Sequence, residues 1–113
     1  MGLLDFLFGS KVVSLNSDEW RHQFNQDKNA VIIDVRSPGE CKQGMIKGAK
    51  NINLMDSGTF HNEIKKLDKN KSYFVYCRSG NRSKRACSIM NKMGIENTYN
   101  LSGGVMSYTG KLS

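Results

Sequence analysis

The chain has 113 residues, the size of one domain, because single cores usually hold roughly 100 to 200 residues. Hydrophobic residues at 38%, charged residues at 24% and a single proline describe an ordinary globular chain, too apolar for disorder and too interrupted by charge to span a membrane. The net charge of +7 raises the question of a polyanion partner, but the twelve lysines are scattered, no basic run is longer than a pair such as Lys65-Lys66, and no basic tail or aromatic-interleaved patch stands out, which argues against nucleic acid.

The opening MGLLDFLFGS lacks a basic leader, carries Asp5 inside its apolar run and is followed by no small-residue cleavage site, so it does not read as a signal sequence. Phe6 stands where myristoylation needs Ser or Thr. Residues 1–10 are expected to form an apolar lead-in that packs on the domain or on a partner in preference to a membrane surface, and residues 11–113 the domain itself.

Residues 12–15 form a brief strand candidate. Asn16, followed three positions later by Glu19, resembles a capping box and predicts a helix over 17–26 with Trp20 and Phe24 inward. The run AVIIDV over 30–35 is nearly all apolar, as expected for a strand buried on both faces of a parallel sheet. Pro38-Gly39 then turns the chain. A short strand is expected over 52–54, and the spacing over 59–67 brings Phe60, Ile64 and Leu67 to one helix face. YFVY over 73–76 is strongly β-prone, Cys77 ends it, a polar loop follows, and a helix is expected from Ser83. Ala86, Ile89, Met90 and Met93 line its inner face, and Gly94 stops it. Residues 98–101 can form a last strand, with Gly103-Gly104 ahead of a C-terminal turn or helix. Strands alternating with helices predict an α/β parallel sheet with helices on both faces, whose site lies at the carboxyl edge.

That edge carries the chemistry. Cys77 ends a central strand, and Arg78, Ser79, Gly80, Asn81 and Arg82 form a tight loop before a helix. Gly80 frees the backbone to converge its N–H groups into an anion-binding nest, and the helix start points the same way. Both favour a thiolate, with a pKa lowered from about 8.5 to about 7.5 or less. A lone cysteine at a strand end is otherwise a small buried hydrophobe, but an inert thiol needs no such surroundings, so Cys77 is read as a catalytic nucleophile.

Four motifs in order, IIDVRSPGE, the segment GMIKGAKNI over 44–52, CRSGNRS, and Gly103-Gly104 followed by Tyr108, make the chain after its first ten residues resemble the single-domain rhodanese family. The resemblance implies a doubly wound, five-stranded parallel sheet flanked by helices. It also implies thiosulfate-type sulfurtransferase activity, in which Cys77 carries a sulfane sulfur as a persulfide, cradled by the loop, from thiosulfate or a related donor to a thiophilic acceptor. Cyanide, a thiol or a protein thiol would serve as acceptor, with no metal or organic cofactor. Arg82 would help stabilise the anion and Arg78 would attract the donor's second charge.

The chain departs from the family at Met45, usually His, at Cys41, usually a large aromatic, and at Tyr108, more often Trp; these bear on substrate preference and leave the loop intact. Cys41 reads as a small buried residue filling an aromatic's place rather than a second thiol partnering Cys77, and Cys87 as core. Asp34 and Arg36 invite a reading as an acid and an anion binder, but Arg36 and Glu40 lie four apart across a turn, and a structural ion pair between those two is expected instead. Three cysteines without paired spacing, with His22 and His61 standing alone, suggest no metal site and a reducing, cytoplasmic setting. Two rivals stay open. A cysteine phosphatase or arsenate reductase usually has five residues between cysteine and arginine, where this chain has four. A sulfur-carrier or adaptor module would bind a partner with little turnover.

Overall fold

The computed structural model describes residues 12–113. The expected lead-in, residues 1–10, and the first residue of the expected domain lie outside them. Five parallel strands run β1 (Val13–Leu15), β2 (Ala30–Asp34), β3 (Lys50–Asn51), β4 (Ser72–Tyr76) and β5 (Thr98–Leu101), in the spatial order β1-β5-β4-β2-β3. Helices α1 (Ser17–Gln26), α2 (Pro38–Cys41), α3 (Ser57–Lys65) and α4 (Asn81–Lys92) and a 3-10 turn at Gly104–Ser107 connect and cover them.

Strand parity sorts the core into two layers. On one face Ile33, Val35, Tyr73, Val75 and Cys77 pack against Phe60 and Ile64 of α3 and Ala86, Cys87 and Met90 of α4. On the other, Ile32, Phe74, Tyr76 and Leu101 pack against Trp20 of α1. Trp20 meets Phe74, Tyr76 and Tyr108 edge-on and donates its indole N–H to the Tyr99 carbonyl at 3.0 Å. With helices on both faces, the doubly wound parallel sheet is the expected one.

Several boundaries differ from the pattern, each for a local reason. Pro38-Gly39 does not simply turn the chain but opens α2, because Ser37 and Glu40 form a reciprocal capping box and proline suits a first helical turn. Pairing on the edge covers Lys50–Asn51 rather than 52–54; Ile52 and Leu54 are instead buried, while their N–H groups bond the Asp34 and Val35 carbonyls at 2.9 and 3.1 Å. Helix α3 starts earlier than its apolar face suggests because Asp56 caps it, accepting from the Thr59 N–H. Helix α4 starts at Asn81, two residues before Ser83, because Gly80 takes a left-handed φ of 101° and frees the next residue to turn.

The expected Arg36–Glu40 pair does not form. Arg36 folds back on its own strand end, where Nε and Nη2 donate to both oxygens of Asp34 at 2.8 to 3.1 Å and Nη2 also donates to the Gly44 carbonyl. Both side chains are buried, and the Asp34 carboxylate raises the pKa of the guanidinium. Glu40 turns the other way, to Arg82. Removing one partner of a buried pair strands the other's charge, so Asp34→Ala is expected to destabilise the fold by about 3–5 kcal/mol. A fall in the urea midpoint at unchanged slope would register it; a loss under about 1 kcal/mol would show that the pair is not an essential buried contact.

Candidate active site

Parity and register place the cysteine. Cys77 follows directly on β4 and continues the Tyr73–Val75 face, so its side chain lies on the side of the sheet covered by α4. The residue is 1% exposed. The chain then bends so that the Gly80 N–H donates to Sγ at 3.1 Å and the Ser83 hydroxyl comes within 3.3 Å of it. Burial alone would push this thiol upward. Hydrogen bonds from the Ser83 side chain and from the backbone N–H groups of Ser83, Gly80 and Ser79 outweigh it, and the pKa of Cys77 is lowered.

What turns those N–H groups inward is the segment behind the loop. The Val105 N–H donates to the Cys77 carbonyl at 3.0 Å and the Met106 N–H to the Arg78 carbonyl at 3.1 Å. With its carbonyls pulled outward, the loop leaves its amides facing sulfur. Gly104 permits this approach: a Cβ there would sit on the carbonyls of Arg78 and Cys77, and its φ is 61°. Gly80 is hemmed in likewise by the Gly103 backbone.

The loop residues singled out in the sequence divide by role. Ser79 and Gly80 direct amides at sulfur, joined by Ser83 from the first turn of α4. Arg78, Ser79 and Asn81 expose their side chains, and Arg78 makes no salt bridge among the described residues. Arg82 is not turned to sulfur: Nη1 and Nη2 grip the Glu40 carboxylate at 2.7 and 2.8 Å. This fork holds the pKa of Glu40 down at about 2, against burial, and ties α2 to α4. Cys77 still acts electrostatically on Arg82, but a guanidinium shared with a carboxylate is a weak anion clamp.

Two further residues, Ser83 and Asn100, join the site without standing out in the sequence. Ser83 precedes Ala86, Cys87 and Met90 at helical spacing, a signal that puts it on the buried face. Asn100 has only its place in a strand. The other thiols are poorly nucleophilic. Half-buried Cys41 is pushed up to about 11 by burial and by Asp34, and Cys87 up to about 12 by burial. A cleft of about 490 Å³ opens beside the loop, with Arg36, Gly44, Arg78, Met106 and Leu112 among its walls. No group of three or more His, Cys, Asp or Glu able to hold a metal occurs among the described residues, and none of their helices is long and apolar enough to cross a membrane.

The family profile described as Rhodanese-like domain matches residues 17–111. A Bacillus subtilis protein named "Putative sulfurtransferase YtwF" is 31% identical over 101 residues, which cover 89% of this chain and 94% of that protein. A tRNA uridine(34) hydroxylase of Pelagibacter ubique is 30% identical over 94 residues, covering 83% of this chain but 31% of the longer protein. Among solved structures, a rhodanese-like domain protein from Staphylococcus aureus superposes with a TM-score of 0.78 at 27% identity, over 90% of this chain and 97% of its own. The sheet order, the cysteine loop and these matches agree: the chain belongs to the rhodanese-like domain family.

Proposed function

We propose that the protein is a sulfurtransferase working through a persulfide on Cys77. The observation that carries this reading is a buried sulfur, at the carboxyl end of the central strand, that receives a Gly80 N–H and lies beside the Ser83 hydroxyl, with its pKa lowered. A thiolate so held attacks the outer sulfur of thiosulfate or a related sulfane donor. The bond from Cys77 Sγ to that sulfur forms as the bond between sulfane and sulfonate sulfur breaks, and sulfite leaves with the electron pair. The persulfide anion takes over the loop's N–H groups, which already point where charge accumulates and need no reorganisation. An acceptor thiolate or cyanide then takes the terminal sulfur and restores the Cys77 thiolate.

The side chains divide the remaining work. Exposed Arg78 at the cleft supplies positive charge for an anionic donor. Arg82, locked to Glu40, serves mainly to brace α2 against α4 and so to hold the loop's shape. A cleft of about 490 Å³ lined in part by the exposed apolar side chains of Met106 and Leu112 leaves room for an acceptor larger than cyanide, which favours an organic or protein-borne thiol. Three free thiols suit a reducing compartment such as the cytoplasm.

Cys77→Ser should abolish sulfite release from thiosulfate and the gain of one sulfur in intact mass, while leaving the fold unchanged, because a serine hydroxyl has no comparable anion. The native protein should show no meaningful hydrolysis of an aryl phosphate. Sulfur loading on the serine variant would remove Cys77 from the mechanism, and phosphatase turnover matching sulfur transfer would favour the oxyanion chemistry of the phosphatase class. A native protein that loads sulfur but never turns over would be a carrier.

Activation can be read separately from transfer. Hydrogen bonds to charged groups are worth about 1.5–3 kcal/mol, so Ser83→Ala is expected to raise the Cys77 pKa by about one to two units in the pH profile of iodoacetamide alkylation. Arg82→Ala should raise it less, since Glu40 already neutralises that guanidinium. The opposite ranking would make the guanidinium, not the hydroxyl, the main support of the thiolate.

A further inference from the structure

Behind the sulfur lies a row of polar side chains that the sheet register brings together. Ser14 of β1 stands opposite Asn100 of β5, and Asn100 opposite Val75 of β4, so all three share the face that carries Cys77. Ser83 reaches this row from α4. Its Oγ lies 3.3 Å from Cys77 Sγ and 2.5 Å from Asn100 Oδ1, and Asn100 Nδ2 donates to Ser14 Oγ at 3.1 Å. Ser83 and Asn100 are 0% and 3% exposed, whereas Ser14 is exposed. The row therefore runs from the sulfur to the surface of the edge strand.

A hydroxyl owns one proton. Ser83 cannot give it to Sγ and to Asn100 Oδ1 together, although both are within reach. With the Asn100 oxygen facing Ser83, that proton goes to the amide and Ser83 Oγ is left to accept, which suits a protonated Cys77 whose S–H donates to it. A thiolate has no proton to offer and needs the hydroxyl's. Once the hydroxyl swings to sulfur, Asn100 Oδ1 faces an oxygen lone pair with no proton between them. Turning the amide over relieves this: Nδ2 then donates to Ser83 Oγ, and Oδ1 accepts from Ser14, whose hydroxyl donates as readily as it accepts. Only the Cys77 proton leaves, to solvent; every other proton stays on its own heavy atom.

We propose that Asn100 is a positioning residue for Cys77: the orientation of its amide sets whether the single proton of Ser83 serves the sulfur, and Ser14, Asn100 and Ser83 form a relay that reorders when Cys77 ionises. Chains of this kind strengthen one another, so an amide donating to Ser83 makes the hydroxyl a better donor to the anion. The relay rests on the reading of Cys77 as the reacting thiolate. The ionisable groups coupled to that sulfur are Arg82 and Cys87, both on α4. Arg82 keeps its charge, and Cys87, pushed up to about 12, stays neutral across the range in which Cys77 titrates, so neither mimics the relay.

The test is the pH profile of iodoacetamide alkylation in the wild type, Asn100→Asp, Ser83→Ala and the double variant, which needs no sulfur donor. An aspartate at position 100 is acceptor-only and keeps the Ser83 proton for itself. Asn100→Asp is expected to slow alkylation at pH 6 by about tenfold, the effect of a one-unit rise in pKa. In the Ser83→Ala background the same change should cost less than about threefold, because the hydroxyl that transmits it is gone. Equal slowing in both backgrounds would reduce the effect to through-space charge and overturn the relay while leaving the reading of Cys77 standing. No slowing by Ser83→Ala itself would overturn the relay and the hydroxyl's role together. A second measurement leaves Asn100 intact: its side-chain amide resonances should titrate with the alkylation midpoint in the wild type and not in Ser83→Ala. Amide resonances that titrate identically in both proteins would also overturn the relay.

Discussion

An anion taken out of water has to be solvated by the protein, and at Cys77 that requirement organises everything within reach. Cys77 is 1% exposed, and burial by itself favours the neutral thiol. The donors that reverse this balance come from one short stretch of backbone and one hydroxyl. For that stretch to point its amides inward, its carbonyls need partners elsewhere, which Val105 and Met106 supply across a gap that only a glycine at position 104 leaves open. The sheet order, the parity of β4 and the start of α4 at Asn81 all serve to bring these pieces to one point.

Around that point two ion pairs hold the carboxyl edge in register. Asp34 and Arg36 anchor the segment leaving β2, and Arg36 reaches on to the Gly44 carbonyl in the cleft wall. Glu40 and Arg82 join the next helix to the helix behind the sulfur. Neither pair neutralises the sulfur directly. Their part is geometric, fixing loops whose few-residue length gives them little cohesion of their own.

Local pattern makes the elements and the cysteine loop legible, because the continuous apolar runs of β2 and β4, buried on both faces of the sheet, and the 86, 89, 90, 93 face of α4 are written within single segments. Contacts between segments were not legible. Arg36 has an acid two residues before it and another four residues after it, and nothing in the spacing says that the strand end folds it back on Asp34. Glu40 and Arg82 are 42 positions apart. Asn100 looks like an interruption in a short strand, and only its register with Ser14 and Val75 reveals that it faces inward under α4. The lead-in over residues 1–10 lies outside the described residues.

Because the sulfur's environment is assembled from peptide groups, Ser83 and glycines with no side chains, the chemistry is insulated from the identity of the loop's exposed residues. Arg78, Ser79 and Asn81 are exposed, and Arg78 lines a cleft whose other walls come from outside the loop. On the sulfur-transfer reading, such a division would let a protein change its clientele without renegotiating its reactivity: replacements at the three outward positions would alter which molecules approach, while the electrophile would still meet the same ring of amides. Adaptability of this sort is a property of backbone-built sites, and it separates the question of what the sulfur does from the question of whom it serves.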